Sequence, residues 1–179
     1  VEVKEIPVDK EGVIDLNFLE KELDGNTVLV SVMYANNEIG TLEPISRISE
    51  IIRNFRRTDI YPLIHTDAVQ AFQYFPSSPP ELGVDFMTLS AHKIYGPKGI
   101  GLLYVENPEL LSPLVTGGGQ EFGLRSGTEN VASAVGFAKA VEIVSERREE
   151  EYERIKELGL YFWQEMKKIF GSEVKREKP

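Results

Sequence analysis

A chain of 179 residues is long enough to bury the core of one ordinary domain. Hydrophobic residues at 41% and charged residues at 27% give the balance of a soluble globular protein. A formal charge of −9 argues against a nucleic-acid partner, and a cysteine count of zero excludes a disulfide framework and a thiolate metal site within the chain.

Val-Glu-Val-Lys at positions 1–4 already reads as a strand, with no charged-then-apolar leader ahead of it. Asp15 is placed to cap a helix that carries Leu16, Leu19 and Leu23 on one face. Residues 27–33 form a continuous apolar run bounded by polar turns, the pattern of a strand covered on both sides. Pro44 then sits where a first-turn proline belongs, and Ile45, Ile48, Ile51, Ile52 and Phe55 recur at helical spacing. Residues 61–66 read as the next strand, 68–72 as a short helix and 85–89 as a third, buried strand. A fourth strand is expected over 99–105, after the Gly96-Pro97-Lys98 turn. From Thr128 onward Val131, Val135, Ala138, Val141 and Ile143 give a helical stripe that runs into the charged stretch 145–152. Apolar positions return at Ile155, Leu158, Leu160, Phe162, Trp163, Met166 and Ile169, so two helices or one bent helix are expected, the second leaving the sheet domain. Lys167, Lys168, Lys175, Arg176 and Lys178 read as a solvated helix end and tail. No apolar run reaches the roughly 18 residues of a membrane span. Strand at one end and helix at the other make the chain read as cut at both.

Strand, helix, strand, repeated, predicts an α/β fold: a mainly parallel sheet flanked by helices. Ligands of such sheets bind beyond the carboxyl ends of the strands. Asn36-Asn37-Glu38 follows the first core strand, Asp67 the second and Ser90-Ala91-His92-Lys93 the third, so their side chains are expected on one edge. A lysine held there with partial burial is suited to Schiff-base formation, although a solvated or paired lysine has the same address. A carboxylate at Asp67 can hold a protonated ring nitrogen or cap the helix that follows. Gln70, one turn on, projects toward the same edge or is ordinary surface. Ser90 and His92 can donate hydrogen bonds to an anion such as a phosphate, while His92 alone also fits a structural role. His65 lies on an apolar strand and is assigned to the core, with acid–base work as the alternative. Gly117-Gly118-Gly119 and Arg125-Ser126-Gly127-Thr128 form a flexible loop ending at a helix start, where Ser126 and Glu129 fit a capping box. Backbone N–H groups there can bind an anion or serve as a plain cap. The glycines of 96–101 match neither a Walker A loop nor a dinucleotide fingerprint. These residue types alone name no cofactor.

Four strings go further. Ser-Val-Met-Tyr-Ala-Asn-Asn-Glu-Ile-Gly (31–40), His-Thr-Asp-Ala-Val-Gln (65–70), Ser-Ala-His-Lys-Ile-Tyr-Gly-Pro-Lys-Gly (90–99) and Arg-Ser-Gly-Thr-Glu-Asn (125–130) occur in order along essentially the whole chain. They strongly resemble the cysteine desulfurases of the NifS/IscS type, class V aminotransferase-like enzymes of the fold-type I pyridoxal-phosphate group. The resemblance implies part of the large cofactor-binding domain over residues 1–143 and, over 144–179, a helix leading into a C-terminal small domain. It implies pyridoxal 5'-phosphate as cofactor, with Lys93 as the lysine that carries it. Asp67 matches the acid on the pyridine nitrogen, Gln70 the side chain near the phenolic oxygen, and Asn37 a cofactor contact. Ser90 and His92 match phosphate ligands. Thr128 matches a hydroxyl that reaches the phosphate in the partner subunit, which implies a homodimer. No metal is implied.

In that family L-cysteine becomes L-alanine while its sulfur passes to a cysteine thiolate of the enzyme, and on to acceptors such as iron–sulfur scaffolds or tRNA-modifying enzymes. A cytoplasmic enzyme with no direct nucleic-acid or membrane partner is expected. The family's catalytic cysteine and carboxylate-binding arginine lie C-terminal to these motifs, and its phosphate-binding turn and ring-stacking histidine N-terminal to them. A chain without cysteine is therefore expected to be inactive alone. A selenocysteine lyase or a class V aminotransferase would share Lys93, Asp67 and His92, and a noncatalytic binding module could keep the fold.

Overall fold

The structure is a computed structural model and describes residues 1–171. Lys175, Arg176 and Lys178 of the basic tail lie outside the described residues. Helix α1 (Leu16–Glu22) starts where Asp15 Oδ1 accepts the N–H groups of Asn17 at 2.9 Å and Phe18 at 3.0 Å, two donors that a helix start otherwise leaves unpaired. Strand β1 (Leu29–Met33), helix α2 (Ile45–Arg56), strand β2 (Leu63–Asp67), the single turn α3 (Pro79–Leu82) and strand β3 (Phe86–Ser90) follow. Then come β4 (Gly101–Val105) and the long helix α4 (Val131–Phe170).

The four strands pair in the order β1-β2-β3-β4. The first three run parallel, with Val32 beside Thr66 and Thr66 beside Met87, while β4 folds back antiparallel on β3. Because side chains alternate across a strand, the two faces differ in kind. Val30, Val32, Ile64, Met87 and Leu89 are buried in one cluster with Leu19 of α1, Leu23 at its C-cap, and Ile45, Ile48 and Ile52 of α2. The opposite face carries Ser31, His65, Asp67, Thr88 and Ser90. At the amino ends of the strands Asp85 Oδ2 accepts the N–H of Ile64 at 2.7 Å and the Arg56 guanidinium at 2.9 Å, so one buried carboxylate ties α2 to two strand starts. The carboxyl ends, the edge at which sheets of this kind bind ligands, lie opposite.

Several expectations are corrected. The stretch 68–72 is not a helix: its two i→i−4 bonds, Phe72 N–H to the Ala68 carbonyl and Phe75 N–H to that of Ala71, are not consecutive, so the backbone makes successive turns. Asp67 is itself the last residue of β2 rather than the residue after it. Phe55 is 40% exposed and leaves the buried face of α2. From Val131 the chain is one continuous 40-residue helix, so of the two alternatives the single helix holds and the pair of helices does not. Its buried face is Phe137, Ala140 and Val144, at i, i+3 and i+7, whereas Val131 and Val135 are 66% and 63% exposed. Asn130 caps it by accepting the Ser133 N–H at 3.1 Å, so Ser126 and Glu129 do not form the expected capping box.

Helix α4 rests on the segment after β3. An ideal Cβ on Gly136 would lie 2.7 Å from Pro97 Cγ, and one on Gly96 would lie 3.2 Å from Ala140 Cβ. Two glycines thus let the helix and the Gly96-Pro97 turn approach more closely than any side chain would permit. About two turns beyond Ala140, the Arg148 guanidinium stands 5.4 Å over the Phe72 ring, and Tyr152 meets Phe75 edge-on at 5.8 Å. Past Val144 no described side chain of α4 is fully buried.

Candidate active site

Parallel pairing brings the carboxyl ends of β1, β2 and β3 side by side, Met33 beside Asp67 and Asp67 beside Thr88. The chain leaves each end differently. After β1 the Asn36 carboxamide turns inward: its Oδ1 accepts the N–H groups of Glu38 at 2.8 Å and Ile39 at 3.1 Å, while its Nδ2 faces Met33 Sδ at 3.6 Å. The first asparagine shapes the loop, and Asn37 is left exposed at its tip.

After β2 the Asp67 carboxylate bonds to its own turn, with Oδ1 accepting the Val69 N–H at 2.9 Å. The capping expected of Asp67 is therefore present in reduced form, on a turn rather than a helix. Its second oxygen has no hydrogen-bond partner among the described residues. Asp67 is the sole Asp, Glu, Lys or Arg within the four strands, so the sheet offers one fixed negative charge and places it at the ligand-binding end. Gln70 is half-buried in the same turn.

After β3 the chain enters a short 3₁₀ turn, Ala91–Ile94. Ala91 and Ile94 are buried and anchor it, so His92 and Lys93 between them face outward. The Ser90 hydroxyl and His92 Nδ1 share one hydrogen bond at 2.9 Å. Tyr95 ends the turn in the left-handed region at φ 63°, its N–H bonded to the Ala91 carbonyl. Lys93 is exposed rather than partly buried, and its amine makes no ion pair or hydrogen bond with the described residues. What fixes it is the backbone of the turn under α4.

The distant loop is built differently from the rest. Ser126 is buried, its N–H bonded to the Val115 carbonyl and its Oγ accepting the Gly119 N–H at 3.3 Å, which closes the glycine-rich segment on itself. Gln120 Oε1 accepts the Gly127 N–H at 3.0 Å. Thr128 is exposed and has no hydrogen bond to Asp67, Ser90, His92 or Lys93. Within one chain, then, Asp67, Gln70, Ser90, His92 and Lys93 flank two neighbouring strand ends, Asn37 stands after the third, and Thr128 stands apart.

His65 departs most from its sequence reading. It is half-buried on the polar face, two residues before Asp67, not in the apolar core. Its Nδ1 lies 2.8 Å from the Ser31 hydroxyl on β1 and its Nε2 2.8 Å from the Thr88 hydroxyl on β3. Burial pushes the imidazole below its ordinary pKa, against the opposing pull of the Asp67 carboxylate. The spacing His65-Thr66-Asp67 was the available signal, since alternate residues of a strand share a face.

A family model, aminotransferase class-V, matches residues 1–178. A cysteine desulfurase IscS from Dictyoglomus turgidum is 47% identical over 167 residues, which cover 93% of this chain and 41% of that protein. Among solved structures, a NifS-like protein superposes with a TM-score of 0.89 at 41% identity, covering 94% of this chain and 46% of that one. SspA, solved in complex with cysteine, superposes with a TM-score of 0.68 at 40% identity over 76% of this chain and 38% of its own. The chain thus spans less than half the length of these relatives.

Proposed function

The chain belongs to the class-V aminotransferase family, and from that premise we propose that it is the cofactor-holding part of a pyridoxal-phosphate-dependent cysteine desulfurase. The observation that carries the reading is the grouping of an unpaired lysine amine, a carboxylate with one open oxygen, and a hydroxyl–imidazole pair at the carboxyl ends of β2 and β3. This donor set fits pyridoxal phosphate group by group: an amine for its aldehyde, a carboxylate for its protonated ring nitrogen, hydrogen-bond donors for its phosphate. When bound, the cofactor supplies an electron-poor ring that takes up the electrons released at a substrate carbon.

The protein's part is to hold and orient. Lys93 anchors the cofactor through Nζ. Asp67 keeps the proton on the ring nitrogen with the oxygen its own turn leaves free, and Gln70 donates toward the phenolic oxygen. Ser90 and His92 bind the phosphate, and Asn37 closes the site from the loop after β1. Thr128, which stands apart from these residues in one chain, serves the cofactor of the second subunit in a homodimer.

L-Cysteine is the proposed substrate, supported by SspA, which binds cysteine. L-Alanine is the product, and sulfur moves to a cysteine persulfide before passing to an acceptor such as an iron–sulfur scaffold. These 179 residues contain no cysteine, so that thiol has to be supplied from outside them. The reading places residues 1–143 in the large domain and 144–179 on the way to the small domain, in a cytoplasmic enzyme. The loss of full burial along α4 after Val144 supports that division.

Full-length protein incubated with L-cysteine and a reductant is expected to release alanine and sulfide in equal amounts. A keto acid without sulfide would replace the proposal with transamination.

A further inference from the structure

Ser31, His65 and Thr88 form a hydrogen-bonded row across β1, β2 and β3, running from the level two residues before Asp67 up to its register partner Thr88, and the proposed function assigns this row no role. Thr88 pairs in register with Asp67, so its hydroxyl is the neighbouring side-chain donor on β3 nearest the carboxylate in the ladder. Freed from His65, that hydroxyl is the β3 donor the register sets opposite Asp67, and it would compete with a ligand for the carboxylate. Its Oγ1 is instead turned to His65 Nε2 at 2.8 Å.

We propose that His65 is a positioning residue for Asp67: as the tautomer protonated on Nδ1, it donates to Ser31 and accepts the Thr88 proton, which keeps the second Asp67 oxygen open for a protonated ring nitrogen. The opposite tautomer would donate from Nε2 to Thr88 and leave the Thr88 hydroxyl hydrogen free to turn toward Asp67. A doubly protonated ring would set a cation beside the one fixed negative charge of the sheet and compete for it. Burial of the ring works against that state. Ser31 completes the clamp, because its hydroxyl gives the Nδ1 proton a fixed acceptor at 2.8 Å. This inference rests on the reading of Asp67 as the partner of the cofactor's ring nitrogen.

The test is a double-mutant cycle on the full-length protein, read as the equilibrium dissociation constant of pyridoxal phosphate added back to the apoprotein. Asp67→Asn alone should weaken binding; no change would overturn the reading of Asp67, and this inference with it. His65→Gln should weaken binding about three- to tenfold, the loss that goes with one misdirected hydrogen bond. Thr88→Val, which removes the hydroxyl at nearly constant shape, should recover binding in the His65→Gln background, because no competing donor is then left beside Asp67. In the Asp67→Asn background His65→Gln should have no further effect. An effect that persists there, or a His65→Gln protein that loses thermal stability while binding the cofactor as the parent does, would reduce His65 to a structural residue.

Discussion

Gly136 puts the packing of α4 on the lysine-bearing turn to a test whose sign can be worked out in advance. In a helix interior, Gly→Ala stabilises by about 0.8–1 kcal/mol through backbone entropy alone. At this position the new Cβ would lie 2.7 Å from Pro97 Cγ and 3.2 Å from Pro97 Cδ, inside the distance that real Cβ atoms keep. Pro97 has a rigid ring, and an ideal Cβ on the neighbouring Gly96 would lie 3.0 Å from the Ala91 carbonyl oxygen and 3.2 Å from Ala140 Cβ, so the turn has little room to yield. Overpacking of this kind costs about 1–3 kcal/mol and exceeds the helix gain over most of that range. Gly136→Ala should therefore lower the urea midpoint of the full-length protein. Pro97→Ala removes both offending carbons, and in that background the same Gly136→Ala change should raise the midpoint. If Gly136→Ala is stabilising with Pro97 in place, the close contact between α4 and the turn is not as described.

Glu43 accepts the Ile14 N–H at 3.1 Å, and burial, helped by nearby Asp9, pushes its carboxyl above the ordinary glutamate range. A raised folded-state pKa means the folded protein binds the proton more tightly, so stability falls as pH rises from the unfolded value through the folded one. Glu43→Gln keeps an acceptor for Ile14 and should remove that loss, seen as a flatter midpoint between mildly acidic and neutral pH; an unchanged slope would contradict it. The Arg56–Asp85 pair has side chains only 17% and 9% exposed, so Asp85→Ala strands a cation and the Ile64 N–H together. A loss of about 3–5 kcal/mol is expected in denaturant titration, and one below about 1 kcal/mol would mean the pair is solvated.

Much of the sheet was legible because an apolar run such as Leu29–Met33 between polar turns has few other uses. Asp67, Ser90 and Lys93 were legible for the same reason, as polar residues falling where such runs stop. Position along a strand carries less information about depth. His65 follows Leu63 and Ile64 and looked like core, yet alternation puts it on the half-open face with Asp67. On α4, Val131 and Val135 suggested the wrong stripe, because composition does not reveal which face meets the sheet. The contact is made instead where Gly136 and Ala140 are small enough to admit the Gly96-Pro97 turn. The return of β4 antiparallel on β3 depends on a tight connection whose glycines and proline fix a turn without fixing its direction.

Lys93 is where the account is most exposed. Borohydride reduction of the full-length protein bound to pyridoxal phosphate should fix the cofactor to that residue, and peptide mass spectrometry would locate it. The predicted result is one modified peptide carrying the cofactor on Lys93, absent from Lys93→Ala. Modification at Lys98 instead, or at Lys93→Ala and parent alike, would contradict the assignment of the site.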